Sequence, residues 1–252
     1  MQIAFFWLAM QYGMSMLFVG GTASGKTTSL NACSLFLPWQ HKIVSIEETR
    51  ELNLPHPNWI PGCTRQGFGG ESAGSGVKAA GEVDMYDLLR AALRERPEYI
   101  IVGEIRGAEA YVLFQAMATG HTTYSTFHAD SIQSLVHRLE NKPIEIPRVL
   151  IPALDGISIQ IQTRVGGKRV RRNKGIIEII GIDPHSHELL TNEAFRWDNT
   201  VDEFVFTGKS YIFEKIMMKA NLNRVEIMDE TKRRQLVIEW CLKKGIRDYK
   251  DF

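Results

Sequence analysis

Short apolar runs recur along the first 140 residues and alternate with segments of helical period. The runs fall at 16–19, 43–46, 99–102 and 123–127. Each has the length of a strand and lacks the polar alternation of a strand that faces water. Between them lie helical patterns at 28–37, 84–96 and 108–119, closed by Pro38, Pro97 and Gly120. Another helix is predicted at 131–141, with Asp130 or Ser131 as its cap. Continuous apolar strands alternating with helices predict a parallel sheet covered on both faces.

The pattern changes twice. Residues 62–81 hold seven glycines and few large apolar groups, which predicts a mobile loop. Later, 157–165, 169–183 and 188–197 read as strands joined by Gly166-Gly167 and by Pro184-His185-Ser186-His187, an antiparallel meander. Helices return at 211–220 and 229–244, the second closed by Gly245. On that last helix, Leu236, Val237, Trp240 and Cys241 form a stripe expected to pack in the core. The apolar stretch 3–20 is interrupted by Gln11, has no positive leader and no small-residue cleavage site. It predicts a buried helix running into a buried strand, not a membrane span or a signal peptide.

Composition adds exclusions. The 252 residues are 44% apolar and 23% charged, a globular mixture that excludes a disordered or low-complexity chain. Thirty Lys and Arg against 29 Asp and Glu leave +1, which argues against a strongly basic nucleic-acid binder. Cys33, Cys63 and Cys241 are too few and too dispersed for a disulfide framework, so a reducing, cytoplasmic setting is expected. Arg164, Lys168, Arg169, Arg171, Arg172 and Lys174 cluster about the meander's first turn. Such a run is usually a solvated turn; a contact with anionic lipid or an acidic partner is the alternative. Few aromatics interleave with it, which disfavours a single-strand nucleic-acid platform.

The candidate chemistry starts at residue 20. The segment GGTASGKT, 20–27, matches G-x-x-x-x-G-K-[ST] in full and lies between a predicted strand and a predicted helix. Its glycines let successive N–H groups turn toward phosphate oxygens, and the helix adds its positive end. Gly21, Thr22, Ala23, Ser24, Gly25, Lys26, Thr27 and Thr28 are therefore the expected nucleotide cradle. Lys26 is expected to reach the β- and γ-phosphates and Thr27 to ligate Mg2+.

In an open parallel sheet, ligands sit beyond the carboxyl ends of the strands. The predicted strand ends deliver the phosphate loop, then Glu47 and Glu48, then Gly103 and Glu104, then His128. Glu104 is the expected catalytic carboxylate, orienting the attacking water. Gly103 stands where a metal-binding Asp is usual, so metal contact from Glu104 is expected to run through water. Arg94, Arg96 and Arg106 flank that strand and are arginine-finger candidates, in cis or across a subunit interface. His121 lies farther from this edge.

Four segments together resemble the ring-forming ATPases of type II and type IV secretion systems, which include pilus and archaellum motors. They are GGTASGKTT at 20–28, IVSIEETREL at 43–52, LRERPEYIIVGEIR at 93–106, and TGH at 119–121 with STFH at 125–128. In order, they are similar to the family's Walker A, Asp box, atypical Walker B and His box. Glycine for Asp at 103 is itself typical of the family, and LPHPNWIP at 54–61 most resembles its archaeal branch. The resemblance covers nearly the whole chain. It implies a RecA-like P-loop core at 1–155, with the meander and last helices at 156–252 as an extension of the same catalytic domain. It further implies ATP and Mg2+ as ligands and a cytoplasmic homo-hexamer docked on a polytopic platform protein at the inner face of the membrane. Pilin-like or secreted proteins would be moved indirectly, and nucleic acid is not an expected partner. Family members carry another domain ahead of this core, and the loop at residue 20 leaves no room for it, so that domain is expected to be missing. Two other readings stay open: a conjugation-type ATPase or nucleic-acid translocase, and a nucleotide-gated binding subunit with negligible turnover.

Overall fold

The four apolar runs become neighbouring parallel strands of one sheet. The computed structural model describes residues 1–67 and 79–251. Strands β1 (Met16–Gly20), β2 (Ile43–Glu47), β4 (Tyr99–Glu104) and β5 (Thr122–Phe127) form its middle, with β3 (Trp59–Cys63) outside β2. Beyond β1 follow β6 (Gly156–Val165), β7 (Lys168–Ile182), β8 (Leu189–Asp198) and β9 (Glu203–Phe206). The order is β3-β2-β4-β5-β1-β6-β7-β8-β9. The pairings from β3 to β6 are parallel and those from β6 to β9 antiparallel. The meander therefore continues the same sheet across residue 155.

The missing alternation in the strands has a direct cause. Leu17 and Val19 of β1 belong to one apolar cluster, and Met16 and Phe18 to the other. The first cluster is closed by α3 (Met85–Arg94), α4 (Glu109–Ala118) and α5 (Ile132–Glu140). The second is closed by α1 (Gln2–Gln11), α2 (Lys26–Ser34), α6 (Tyr211–Ala220) and the start of α7 (Arg224–Lys244). Apolar residues on both sides of a strand are what a doubly covered sheet requires. The 3–20 stretch is indeed a helix with a strand behind it. Among the described residues no helix is long and apolar enough to cross a membrane.

Several expectations need correction. Helix α2 opens at Lys26 and ends at Ser34, short of the predicted 37; residues 35–37 leave the helix in a turn and a bend. Helix α7 opens at Arg224 rather than 229, because Asn223 and Glu226 form a capping box. Strands β3 and β9 and a 3-10 segment at Arg148–Ala153 were not expected from the pattern. Strand β3 contains Pro61, which is tolerated because β3 is an edge strand with no partner on its outer side among the described residues. The predicted glycine loop 62–81 loses its first two residues to β3, while Arg65 and Val83 form a bridge near its end. Its centre, 68–78, lies outside the described residues. The stripe on α7 is not core: Leu236, Val237 and Trp240 are 53%, 44% and 53% exposed. Helix α7 buries Ile227 and Thr231, and its middle meets α1 through Arg234, which lies over the Trp7 ring and donates to Gln11 Oε1 at 2.8 Å, rather than through this stripe.

Candidate functional site

The phosphate loop is built by the end of β1, a tight turn and the first turn of α2. Gly25 caps α2 with φ +99, and Ala23 also has left-handed backbone, φ +58. A side chain at Gly20 would collide with the Gln160 carbonyl of β6 and the Ser24 hydroxyl, so glycine there is a packing requirement. Ser24 Oγ donates to Gly21 O at 2.8 Å and Lys26 Nζ donates to the same oxygen at 3.1 Å. The loop is thus tied to itself, with the lysine folded over it. Burial lowers the Lys26 pKa; Glu104 opposes the shift and Arg106 adds to it. The first N–H groups of α2 have no acceptor inside the helix and face the same end.

A polar cavity of about 290 Å³ opens beside this loop, lined by Lys26, Thr27, Glu47, Glu48, Glu104, Arg106 and Thr126 among others. These residues come from the carboxyl ends of β1, β2, β4 and β5; the first three contribute residues that the sequence predicts, and β5 contributes Thr126 rather than His128. Glu47 closes β2 at 2% exposure; its Oε1 accepts from Glu51 N and Leu52 N at 2.9 and 3.0 Å. Its Oε2 is buried without a hydrogen-bond partner among the described residues. An orphaned carboxylate oxygen beside Lys26 and the Thr27 hydroxyl fits a hard divalent cation and its waters. Among the described residues no three His, Cys, Asp or Glu groups form a self-sufficient metal site. Such a cation would therefore draw most of its ligands from phosphate and water.

Glu104 owes its aim to an irregularity. The β4–β5 register shifts between Val102 and Glu104, so Gly103 is bulged out. Thr126 Oγ1 donates to the Gly103 carbonyl at 2.8 Å and holds the bulge. A Cβ at Gly103 would lie 3.3 Å from Glu47 Cγ, tighter than side chains ordinarily pack. Glycine at this position makes room for Glu47. Arg106 then bridges two acids: Nε donates to Glu104 Oε2 at 2.9 Å, Nη2 pairs with the same oxygen, and Nη1 reaches Glu48 Oε2 at 3.3 Å. The Glu104 partner raises the Arg106 pKa further.

Other candidates are not brought to this cavity. Arg94 ends α3 and Arg96 follows it; both are exposed and precede β4, at the opposite end of that strand from Glu104. The cis role expected for them has no geometric basis, because the length of β4 intervenes. His128 is on the correct edge but faces a neighbouring cavity of about 250 Å³ with Arg138 and Lys142; Arg106 lines both. His121 precedes β5 and lines a cavity at the far edge with His41 and Tyr99.

Sequence reasoning missed the other side of the phosphate loop. There, a mainly apolar cavity of about 500 Å³ is walled by Ser24, Gly25 and Thr28 together with Ile3, Phe6, Arg171 and Phe204. Thr126 was missed too. Ile3 and Phe6 read only as apolar helix residues, and Phe204 sits in the unforeseen β9. Arg171 stood out only as one of six clustered bases.

Residues 5–243 match the type II/IV secretion system protein family. The Methanocaldococcus jannaschii protein MJ1287 is 45% identical over 228 residues, 90% of this chain and 82% of that one. The type IV secretion system protein PtlH of Bordetella pertussis is 34% identical over 180 residues, 66% of this chain and 50% of PtlH. The VirB11 ATPase from the Brucella suis type IV secretion system superposes with a TM-score of 0.56 at 26% identity, covering 69% of this chain and 51% of that one. The chain thus spans about half the length of PtlH and VirB11. Its RecA-like core, its phosphate loop and these matches show that the chain belongs to the type II/IV secretion system protein family.

Proposed function

We propose that this chain is an Mg2+-dependent ATPase that powers protein secretion or the assembly of pilus- or archaellum-like filaments. One observation carries the reading. The ends of three strands bring Lys26 and Thr27 of the phosphate loop into one cavity with Glu47, Glu48, Glu104 and Arg106, and Thr126 joins them from a fourth. Family membership supports the motor role, and the ATPase named among the similar structures supports hydrolysis.

The 20–28 segment binds the phosphates through its N–H groups and Lys26, while the larger apolar cavity receives the nucleoside. Thr27, with Glu104 acting through water and the unpartnered Glu47 oxygen turned to the same space, would hold the divalent ion. When bound, that ion draws charge off the β- and γ-phosphates. Glu104 orients the attacking water and accepts its proton, with Glu47 and Glu48 completing the acidic wall. Arg106 turns from Glu104 to the γ-phosphate as nucleotide enters, offsetting the charge that develops there. His128 acts at the edge of the site, and Arg94 and Arg96 act on a neighbouring subunit. On this reading residues 1–155 are the core and 156–252 its extension. The working form is a homo-hexamer on a polytopic membrane platform at the inner face of the cytoplasmic membrane, moving pilin-like or secreted proteins.

Phosphate release tests the reading. Wild type should turn over ATP only with Mg2+, Lys26→Ala should lose binding and turnover, and Glu104→Gln should bind ATP but turn over about a hundredfold more slowly or less. Equal background rates for wild type and Glu104→Gln, with ATP still bound, would instead indicate a nucleotide-gated binder. Strong stimulation by single-stranded DNA would overturn the protein-secretion reading in favour of a translocase.

A further inference from the structure

Arg171 differs from the other bases of the 164–174 cluster. It lies on β7, opposite Gln162 of β6. Its Nε donates to the carbonyl of Ala23 at 2.9 Å, and its Cδ lies 3.4 Å from where a Cβ on Gly25 would sit. One side chain therefore bonds Ala23 and fills the space over Gly25, the two residues of the phosphate loop that have left-handed backbone. For alanine that conformation is strained and persists only where the surroundings hold it.

Arg171 is itself held. Arg172 donates through Nη1 to the Arg171 carbonyl at 2.9 Å and grips Asp202 with two bonds, Nε–Oδ1 and Nη2–Oδ2, both 2.7 Å. Trp197 Nε1 donates to Asp202 Oδ1 at 2.8 Å. A fixed chain of contacts thus runs from the β8–β9 turn through Arg172 and Arg171 to the crest of the loop. Arg169 and Lys168 are exposed at the turn of the same hairpin and have the same charge.

We propose that Arg171 is a positioning residue for the phosphate loop: it holds residues 23–25 in the shape that receives nucleotide, so the β6–β7 hairpin helps set nucleotide affinity. This rests on the nucleotide-binding reading above. The remainder of the guanidinium adds positive charge to the wall of the larger cavity, which Arg171 lines beside Ser24 and Gly25. Lysine would keep the charge but lose the planar fork that reaches Ala23.

The test is titration of fluorescent ADP into wild type, Arg171→Ala, Arg171→Lys, Arg169→Ala and Lys26→Ala. Loss of a charge-assisted bond predicts a rise in Kd of about tenfold or more for Arg171→Ala, with Arg171→Lys between it and wild type. Arg169→Ala should stay within about twofold, since it removes equal charge without touching the loop. Added guanidinium ion should restore part of the affinity of Arg171→Ala and change nothing in Arg169→Ala. Asp202→Asn should raise Kd in the wild-type background and have no further effect in Arg171→Ala, because both act through one chain of contacts. The double variant and guanidinium rescue keep the result interpretable if Arg171→Ala also lowers Tm. Equal affinity in Arg171→Ala and Arg169→Ala, with Lys26→Ala still defective, overturns the role of Arg171 alone. Wild-type affinity in Lys26→Ala overturns the nucleotide reading and this inference with it.

Discussion

A methyl group on Gly103 would press within 3.3 Å of Glu47 Cγ. Overpacking of that kind costs about 1–3 kcal/mol when neighbours have little room to yield. Glu47 has little: it is buried and pinned by two backbone N–H groups. Gly103→Ala is therefore expected to lower stability by about that amount in urea denaturation. It should also slow phosphate release, because Glu47 and Glu104 both shift. Unchanged stability and turnover would refute the close-packing account. The identity of residue 103 was legible in the sequence, but its reason was not. Nothing in the order of residues says that Glu47, on another strand, occupies the space where a side chain at 103 would go. The phosphate loop was legible because all its parts are contiguous. The grip of Arg171 on Ala23 was not, because its two partners are 148 positions apart in the chain.

At the scale of elements, the same contrast separates middle strands from edges. Strands β1, β2 and β4 were visible because both of their faces are buried, which leaves a mainly apolar run, whereas β5 buries Thr122, Thr123, Ser125 and Thr126 beside Tyr124 and Phe127 and reads as a strand by its β-branched and aromatic residues. Strands β3 and β9 were invisible because edge strands are stabilised by pairing that the local pattern does not encode. Helix α6 shows another long-range dependence. Glu178 on β7 is fully buried and accepts from the Tyr211 and Ile212 N–H groups at 2.8 and 3.2 Å, from Asn192 Nδ2 at 2.8 Å and from the Ser210 hydroxyl. A strand carboxylate thus satisfies the open N-terminus of the helix. Glu178→Ala leaves several buried donors without an acceptor, at about 1–3 kcal/mol each. A loss of about 3 kcal/mol or more is expected in urea denaturation, with Glu178→Gln losing less. A loss below that for Glu178→Ala would show that α6 is held chiefly by its apolar face.

The meander has its own pH signature. Hydrogen bonds from Arg172, then from Trp197, hold the Asp202 carboxyl down at about 2, against an ordinary value of 3.8. A folded value below the unfolded one stabilises above the unfolded value and stops doing so as pH falls through the folded one. The contribution of Asp202 is therefore present above about pH 4 and fades from there toward pH 2. Asp202→Asn should flatten the dependence of stability on pH in that window while leaving its shape near neutrality unchanged. An identical profile below pH 4 would show that the pair contributes nothing to the fold.

At the scale of the whole molecule, the arginines decide what one chain can do alone. Arg106 reaches Glu104 within the chain, whereas Arg94 and Arg96 lie before β4 and Glu104 closes it. The five steps of about 3.3 Å between Tyr99 and Glu104 separate the two ends by roughly 17 Å, beyond the reach of an arginine side chain. If Arg94 and Arg96 meet a nucleotide, it is one bound to another copy. That geometry predicts complementation. The Arg94→Ala, Arg96→Ala double variant should bind ATP and turn over poorly, and Glu104→Gln should do the same for a different reason. Mixed, they should recover turnover that neither has alone, because some interfaces then pair an intact Glu104 with intact arginines. Wild-type turnover per chain should also rise with protein concentration as copies assemble. Full activity in the double arginine variant would remove these residues from the chemistry. Turnover per chain that is independent of concentration, together with no recovery on mixing, would make each chain a self-sufficient ATPase and leave Arg106 as its arginine finger.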